Sequence, residues 1–316
     1  MILYSIIYLL IIIIYYFLAK HYKLYDKPNI RSSHQFNTLN GGGILFPIAF
    51  ILPFFIELEY YKSINIIIGI TLISIISFVD DIKPISNFKR VSLHSIAVIL
   101  LLTHLDILSI NFLYFIISFI LITGILNAYN FMDGINGLNG TYSLVTLSTL
   151  LFINESYNVV PEILIISLII SLIIFLFLNF RNNAIMFSGD IGSISIGYIL
   201  SFIILMLIIK DQNIKWILLL GIYGLDSVGT IVLRIIRKEN IFKAHRTHFY
   251  QFLTNNKKIN HLIVTSIYCI TQMTLNYILI FKSNYIILLF YLFLILLYAL
   301  FRIELEGYNK LFKKYN

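Results

Sequence analysis

The chain alternates long apolar runs with short polar connections. Apolar segments can be drawn near residues 2–19, 42–57, 64–79, 89–105, 108–127, 139–153, 161–178, 192–209, 214–232, 261–281 and 284–303. A helix needs about 20 mostly apolar residues to cross a bilayer. The pattern therefore predicts an all-α integral membrane protein, a polytopic bundle of eleven transmembrane helices, or ten if one of the shortest, such as 139–153, stays out of the count. No internal repeat of about 20 to 50 residues is visible, and no hydrophilic stretch is long enough for a second domain. Residues 1–316 read as one membrane domain.

Composition agrees with the pattern. Hydrophobic residues make up 59% of the chain and charged residues 12%, where a soluble domain carries roughly 25% charged residues. Isoleucine is so abundant that single isoleucines say little. The one cysteine, Cys269, lies in an apolar segment without a partner, which excludes disulfides and cysteine-rich metal sites.

Charge sets the expected orientation. Of the 23 Lys and Arg residues, all but four (Lys62, Lys210, Lys215 and Lys282) fall in the loops after odd-numbered segments or in the C-terminal tail. Basic residues bias loops to the inside, so these loops are expected to be cytoplasmic, with the N-terminus outside. No basic residue precedes Lys20, so the first segment reads as a retained helix rather than a cleaved signal peptide. The net charge of +8 is spread over membrane-flanking loops. That spread fits topology and anionic lipid rather than nucleic acid.

With that topology the polar clusters fall on one face. They are Asp80-Asp81, the run from Asn127 to Gly134, Ser188-Gly189-Asp190, Asp226, and His245-Arg246-Thr247-His248. Adjacent carboxylates raise each other's protonation cost unless a cation intervenes. Asp80-Asp81 is thus either a solvated helix end neutralised by Lys83, Lys89 or Arg90, or a site for a divalent ion or a phosphate. Asn127, Asn130 and Asp133 recur every three residues and share a broad helix face. Such a stripe either bonds neighbouring helices or, with the glycine-rich turn that follows, offers amides and backbone N–H groups to a ligand. Ser188-Gly189-Asp190 reads as a plain N-cap or as a helix start that binds phosphate through its dipole.

The metal these ligands imply is magnesium, with manganese as a substitute. Magnesium prefers oxygen and takes one or two carboxylates plus substrate phosphates. Zinc would recruit His or Cys, but Lys243 and Arg246 beside His245 and His248 favour an anion contact instead.

Taken together, Val79-Asp80-Asp81, the run from Asn127 to Leu138, the run from Phe187 to Ser193, and His245-Arg246-Thr247-His248 resemble the motifs of the polyprenyl-phosphate N-acetylhexosamine-1-phosphate transferase family. This is the superfamily that includes MraY and WecA. The first loop, from Asp26 to His34 with Gly41-Gly42-Gly43, is similar to the WecA and WbpL branch. The resemblance covers about residues 26 to 251. It implies that a polyprenyl phosphate attacks the β-phosphorus of a UDP-N-acetylhexosamine, giving polyprenyl-diphospho-sugar and UMP.

By matching position, Asp190 would be the principal magnesium ligand with Asp133 beside it, and Asp80 and Asp81 would orient or deprotonate the acceptor phosphate. His245, His248 and Arg246 would hold nucleotide-sugar phosphate or sugar. Phe187 would stack on uracil, and Asn127, Asn130 and Asn136 would line the nucleotide site. The implied partners are the UDP-sugar, with UDP-N-acetylglucosamine favoured, undecaprenyl phosphate, and a second copy in a homodimer. The implied setting is the bacterial cytoplasmic membrane, at the start of a lipid-linked envelope glycan such as cell wall polymer or lipopolysaccharide O-antigen. The chain departs from the family at Asn136, where a second acid is common. It also departs at Leu39-Asn40, in place of Pro-Arg, and at Asn182-Asn183, in place of Pro-Pro. These departures leave the nucleobase contact and the sugar open.

Three other readings compete. A phospho-MurNAc-pentapeptide transferase shares the reaction, but residues 245–251 look unlike its histidine run. A CDP-alcohol phosphotransferase needs Asp-Gly followed by Ala-Arg, which Asp133-Gly134-Ile135-Asn136 lacks. A cation-coupled transporter would place its carboxylates near the bilayer midplane rather than at one face.

Overall fold

The computed structural model describes residues 1–28, 33, 36–56, 64–241, 243 and 245–312. Asn29, Ile30, Arg31, Ser32 and His34 of the first-loop motif lie outside the described residues, as do Lys62, Lys313 and Lys314 of the charge pattern. The chain is helical nearly throughout. It runs through α1 (Ile2–His21), α2 (Leu45–Ile56), α3 (Ile64–Ile82), α4 (Asn87–His104), a short α5 (Ile107–Ile110), α6 (Phe112–Met132), α7 (Leu138–Tyr157), α8 (Glu162–Asn179) and α9 (Gly189–Asp211). A 3-10 segment, Ile214–Leu220, leads into α10 (Gly221–Ile236), which is followed by a one-turn α11 (Phe249–Gln251), a π turn at Phe252–Asn256, α12 (His261–Phe281), α13 (Asn284–Glu306) and α14 (Tyr308–Phe312).

Every apolar segment drawn from the sequence carries a helix. Among the described residues, eight helices are long and apolar enough to cross a membrane, which makes this a polytopic helical membrane protein. The three predicted segments outside that set fall short for visible reasons. The apolar helix at 42–56 is too short. Helix α4 opens with Asn87, Lys89 and Arg90, and α7 carries Asn139, Thr141, Ser143, Thr146, Ser148, Thr149 and Asn154.

Helix α9 is the axis of the bundle. Some 89% of its apolar window is buried, against 17% for α6 and for α13. Small residues let neighbours approach it, as expected for membrane helix packing. Gly192 meets Gly43, and Gly197 packs on the Tyr129 ring. Polar side chains tie α7 to α12. Tyr142 Oη donates to Gln272 Oε1 (2.5 Å), Gln272 Nε2 donates to Asn276 Oδ1 (2.7 Å), and Asn276 Nδ2 donates to Thr149 Oγ1 (2.9 Å). In hydrocarbon such groups have no water to turn to, so this chain of donors and acceptors holds α7 against α12 inside the bundle.

The only strands among the described residues form a two-residue hairpin ladder, β1 (Tyr25–Asp26) against β2 (Thr38–Leu39), antiparallel with Tyr25 opposite Leu39. Its role is to seat the chain before α9. Leu39 bridges Met186 in parallel, Phe187 N donates to Leu39 O (2.8 Å), Gly42 N to Phe187 O (2.8 Å) and Gly43 N to Ser188 O (2.9 Å). A side chain at Gly43 would put its Cβ 2.2 Å from Gly192 Cα. The glycines of the first loop thus bring two backbones together, and that contact fixes where α9 begins.

Candidate active site

The end of α6 is the hub of the polar motifs. Asn130 Nδ2 points to Asp190 Oδ2 (3.4 Å), the Phe131 ring lies against His245 and His248 at 6.0 and 5.9 Å between centroids, and Asp133 accepts a short hydrogen bond from Ser188 Oγ. Helix periodicity of 3.6 turns successive residues to different neighbours. One turn of α6 therefore reaches both the start of α9 and the histidine segment.

Burial raises the Asp133 carboxyl to about 8. The Ser188 hydroxyl offsets part of this, and the Asp190 and Asp81 carboxylates add to it. Burial and the neighbouring Asp190 and Asp81 carboxylates disfavour a negative charge on Asp133, and a bound cation would relieve that cost. Among the described residues no group of three or more His, Cys, Asp or Glu side chains converges to hold a metal unaided. The donor set of Asp133 and Asp190 instead fits magnesium, which keeps several waters and takes its remaining ligands from substrate phosphates.

The aspartate pair divides its labour. Asp81 spends its carboxylate on the start of α9. Oδ1 accepts from Asp190 N (2.9 Å) and from Asn40 Nδ2 (3.0 Å), and Oδ2 accepts from Ile191 N (3.0 Å). It is an N-cap supplied by another helix, at the end where an anion is favoured. Two of the N–H groups that the sequence offers to phosphate at this helix start, those of Asp190 and Ile191, are therefore already taken by Asp81. Gly189, at φ +73°, makes the turn possible, because a Cβ there would lie 2.6 Å from Asp81 Oδ2. Asp80 faces elsewhere. It accepts from Ile85 N (2.6 Å) and from Arg90 Nη1 (2.9 Å).

Arg90 is the cation of this corner. Its Nη1 is also 3.9 Å from Asp190 Oδ2, so one guanidinium spans Asp80 and Asp190. Its side chain is 32% exposed, which leaves it accessible to an incoming anion. Of the three basic residues near Asp80 in the sequence, the structure selects Arg90.

The remaining sequence candidates are placed as follows. Asn136 is buried and its amide donates to Arg181 O (2.7 Å) and Asn182 O (3.0 Å), while its carbonyl accepts from Thr265 Oγ1 (3.0 Å). Both amide hydrogens are thus committed inside the protein. The glycine-rich turn likewise turns its N–H groups inward. Gly137 N donates to Asn179 Oδ1 (2.7 Å) and Asn136 N to His261 Nδ1 (3.4 Å). Asn127 is exposed and donates to Thr123 O of its own helix (2.9 Å). Phe187 is half-buried and its backbone is fixed by the first loop. Arg246 is exposed.

His245 and His248 stand together at 5.0 Å between ring centroids. Burial, with help from His248 and Arg234, holds the His245 imidazole down at about 3, so it is neutral near pH 7. His248 is buried, with Nδ1 3.7 Å from Asp226 Oδ1. Sequence reasoning missed Asn40 and Ser188 as supports of the site. In the sequence Ser188 reads only as part of a helix start and Asn40 only as a departure from the family pattern; what each one holds, Asp133 and Asp81, is set by the fold.

No curated protein sequence matches the chain. Residues 63–208 match the glycosyl transferase family 4 model. That stretch contains Asp80, Asp81, Asn127, Asn130, Asp133, Asn136, Phe187 and Asp190 and excludes the histidine segment. The match supports, at the level of that family, transfer of a sugar phosphate to polyprenyl phosphate by a membrane-embedded transferase.

Proposed function

We propose that the protein transfers N-acetylhexosamine-1-phosphate, most favourably GlcNAc-1-phosphate, from a UDP-sugar to undecaprenyl phosphate and releases UMP. The observation that carries this reading is that the Ser188–Asp190 and histidine segments meet the end of α6, with Asp80-Asp81 joined to them through Arg90 and the start of α9. Phosphoryl transfer asks for positioning and charge neutralisation more than for covalent help from the protein. The acceptor phosphate is already an anion near neutral pH, so no strong base is required.

In this reading Asp190 and Asp133 hold magnesium, which when bound neutralises the diphosphate of the donor. Arg90 exchanges part of its contact with Asp80 and Asp190 for a phosphate oxygen, and Asp80 then receives or orients the acceptor. Asp81 acts through Asp190, whose backbone it fixes. Neutral His245 and His248 hydrogen-bond the donor sugar or its phosphates, with Arg246 supplying charge. Asn130 steadies Asp190. Asn127 and Phe187 flank the nucleotide, and Asn136 serves it by shaping the turn. The excess of Lys and Arg in the loops on this side supports a cytoplasmic face in a bacterium, where the product would start an envelope glycan.

The test is UMP release by the purified protein with undecaprenyl phosphate and magnesium, offered a panel of UDP-sugars. Turnover with UDP-N-acetylglucosamine or a close relative is expected. Turnover only with UDP-muramoyl-pentapeptide would replace the sugar assignment, and UMP release unchanged in Asp190→Ala would overturn the metal role.

A further inference from the structure

The strongest polar construction outside the carboxylate corner surrounds Asp226. This residue is 1% exposed, yet its carboxylate makes a full set of contacts. Oδ1 accepts from Phe249 N (2.9 Å), Thr230 Oγ1 (3.2 Å) and Tyr298 Oη (3.2 Å). Oδ2 accepts from Tyr250 N (3.3 Å) and Tyr268 Oη (2.7 Å). The acid sits on α10, its hydroxyl donors on α10, α12 and α13, and its backbone donors at the start of α11. It therefore ties the residues right after His248 to three helices at once.

Arg302 of α13 completes the hold from the other side. Nη2 donates to Thr247 O (2.8 Å), while Nη1 donates to Thr230 Oγ1 (3.2 Å) and Tyr298 Oη (2.8 Å). Glu306 takes Nε at 2.5 Å, so the arginine is neutralised in place. Thr247 and Phe249, the neighbours of His248 on either side, are thus each fixed through the backbone by a buried charged group. His248 Nδ1 lies 3.7 Å from Asp226 Oδ1. A buried charge with one missing partner is costly, and a fully satisfied network rigidifies what it holds. Nothing in the packing of α10 alone requires an acid here.

We infer that Asp226, with Arg302, is the positioning residue of the histidine segment, setting the backbone so that His248 presents its imidazole toward Phe131 and the end of α6. The role in turnover rests on the reading in which His245 and His248 contact the UDP-sugar. The placement itself does not depend on that reading.

The experiment compares wild type, Asp226→Ala and Asp226→Asn of the full chain in detergent, by hydrogen exchange and by kinetics. Removing two backbone hydrogen bonds to a charged acceptor is expected to speed exchange in a peptide over residues 245–251 by at least about tenfold, with a peptide from 64–82 unchanged. With UDP-N-acetylglucosamine as probe, KM for the nucleotide is expected to rise about tenfold, and KM for undecaprenyl phosphate to stay. Asp226→Asn, which keeps one acceptor oxygen, is expected to lie between, and it carries the comparison if the alanine variant does not fold. Unchanged exchange over 245–251, a rise spread evenly over all peptides, or a loss of kcat with no change in nucleotide KM would each overturn the proposal. If wild type turns over no UDP-sugar, the transferase reading fails and the exchange measurement alone decides the placement.

Discussion

Asp81→Asn separates a structural from a chemical role for the second aspartate of the pair. The wild-type carboxylate accepts from Asp190 N, Ile191 N and Asn40 Nδ2 at 2.9 to 3.0 Å. Asparagine keeps one acceptor and turns an NH2 toward at least one of those donors. The loss of one hydrogen bond to a charged group, about 1.5–3 kcal/mol, adds to the loss of an anion at a helix start, about 0.3–2 kcal/mol. The expected destabilisation is about 2–5 kcal/mol. Cys269 is the only cysteine and is buried, so a thiol-reactive dye reports unfolding from a single place. The midpoint is expected to fall by at least about 4 °C, and turnover to fall with it because Asp190 loses its fixed backbone. Asp80→Asn is the control. It gives up one ion pair, between a carboxylate 9% exposed and an arginine 32% exposed, and caps no helix start, so a smaller loss of about 1 kcal/mol is expected. An Asp81→Asn protein with the wild-type midpoint and no turnover would refute the capping argument and return Asp81 to the acceptor phosphate.

Gly189→Ala places a β-carbon 2.6 Å from Asp81 Oδ2 at φ +73°; a loss of about 1–3 kcal/mol is expected in the same dye assay. Asn136→Asp turns two donors that face the Arg181 and Asn182 carbonyls into acceptors, and should destabilise by about 2–4 kcal/mol; an Asn136→Asp protein of wild-type stability would show that the turn is held otherwise. Asp133 is held near 8 in the fold against about 3.9 in an unfolded chain. The folded state therefore keeps a proton that the unfolded state gives up between those values, and stability of the metal-free protein falls as pH rises through this window. Midpoints measured from pH 4 to 8 in chelator should show this decline, and Asp133→Asn should make it shallower.

Much of the fold can be read from the chain because lipid imposes a simple rule. Apolar runs must be helices, and each drawn segment is one. The candidate residues are legible for a related reason. Charge is expensive in an apolar protein, so acids at segment ends stand out against the background. What the sequence conceals is the direction each acid faces. Asp80 and Asp81 are neighbours, but about 100° of helix rotation sends one to Arg90 and the other to the start of α9. Asn136 is concealed in the same way. By type and position it looks like a ligand, yet the amide hydrogens it has to offer are spent on the carbonyls of residues 181 and 182.

That last contact joins two positions at which the chain departs from the pattern of the family it resembles. Asn136 stands where an acid is common, and Asn182 stands where a proline is common; in the fold the side chain of one donates to the carbonyl of the other. Asn182 Oδ1 in turn accepts from Asn260 Nδ2 (2.8 Å). An acid at 136 would face two carbonyl oxygens with no hydrogen to give, so the amide there fits the local backbone. The double change Asn136→Asp with Asn182→Pro tests this coupling through a double-mutant cycle. If the two positions act as a unit, the pair should cost less than the sum of the single changes. Strict additivity would show that position 136 answers to the turn alone, and that its amide reflects no adjustment between the α6–α7 turn and the loop before α9.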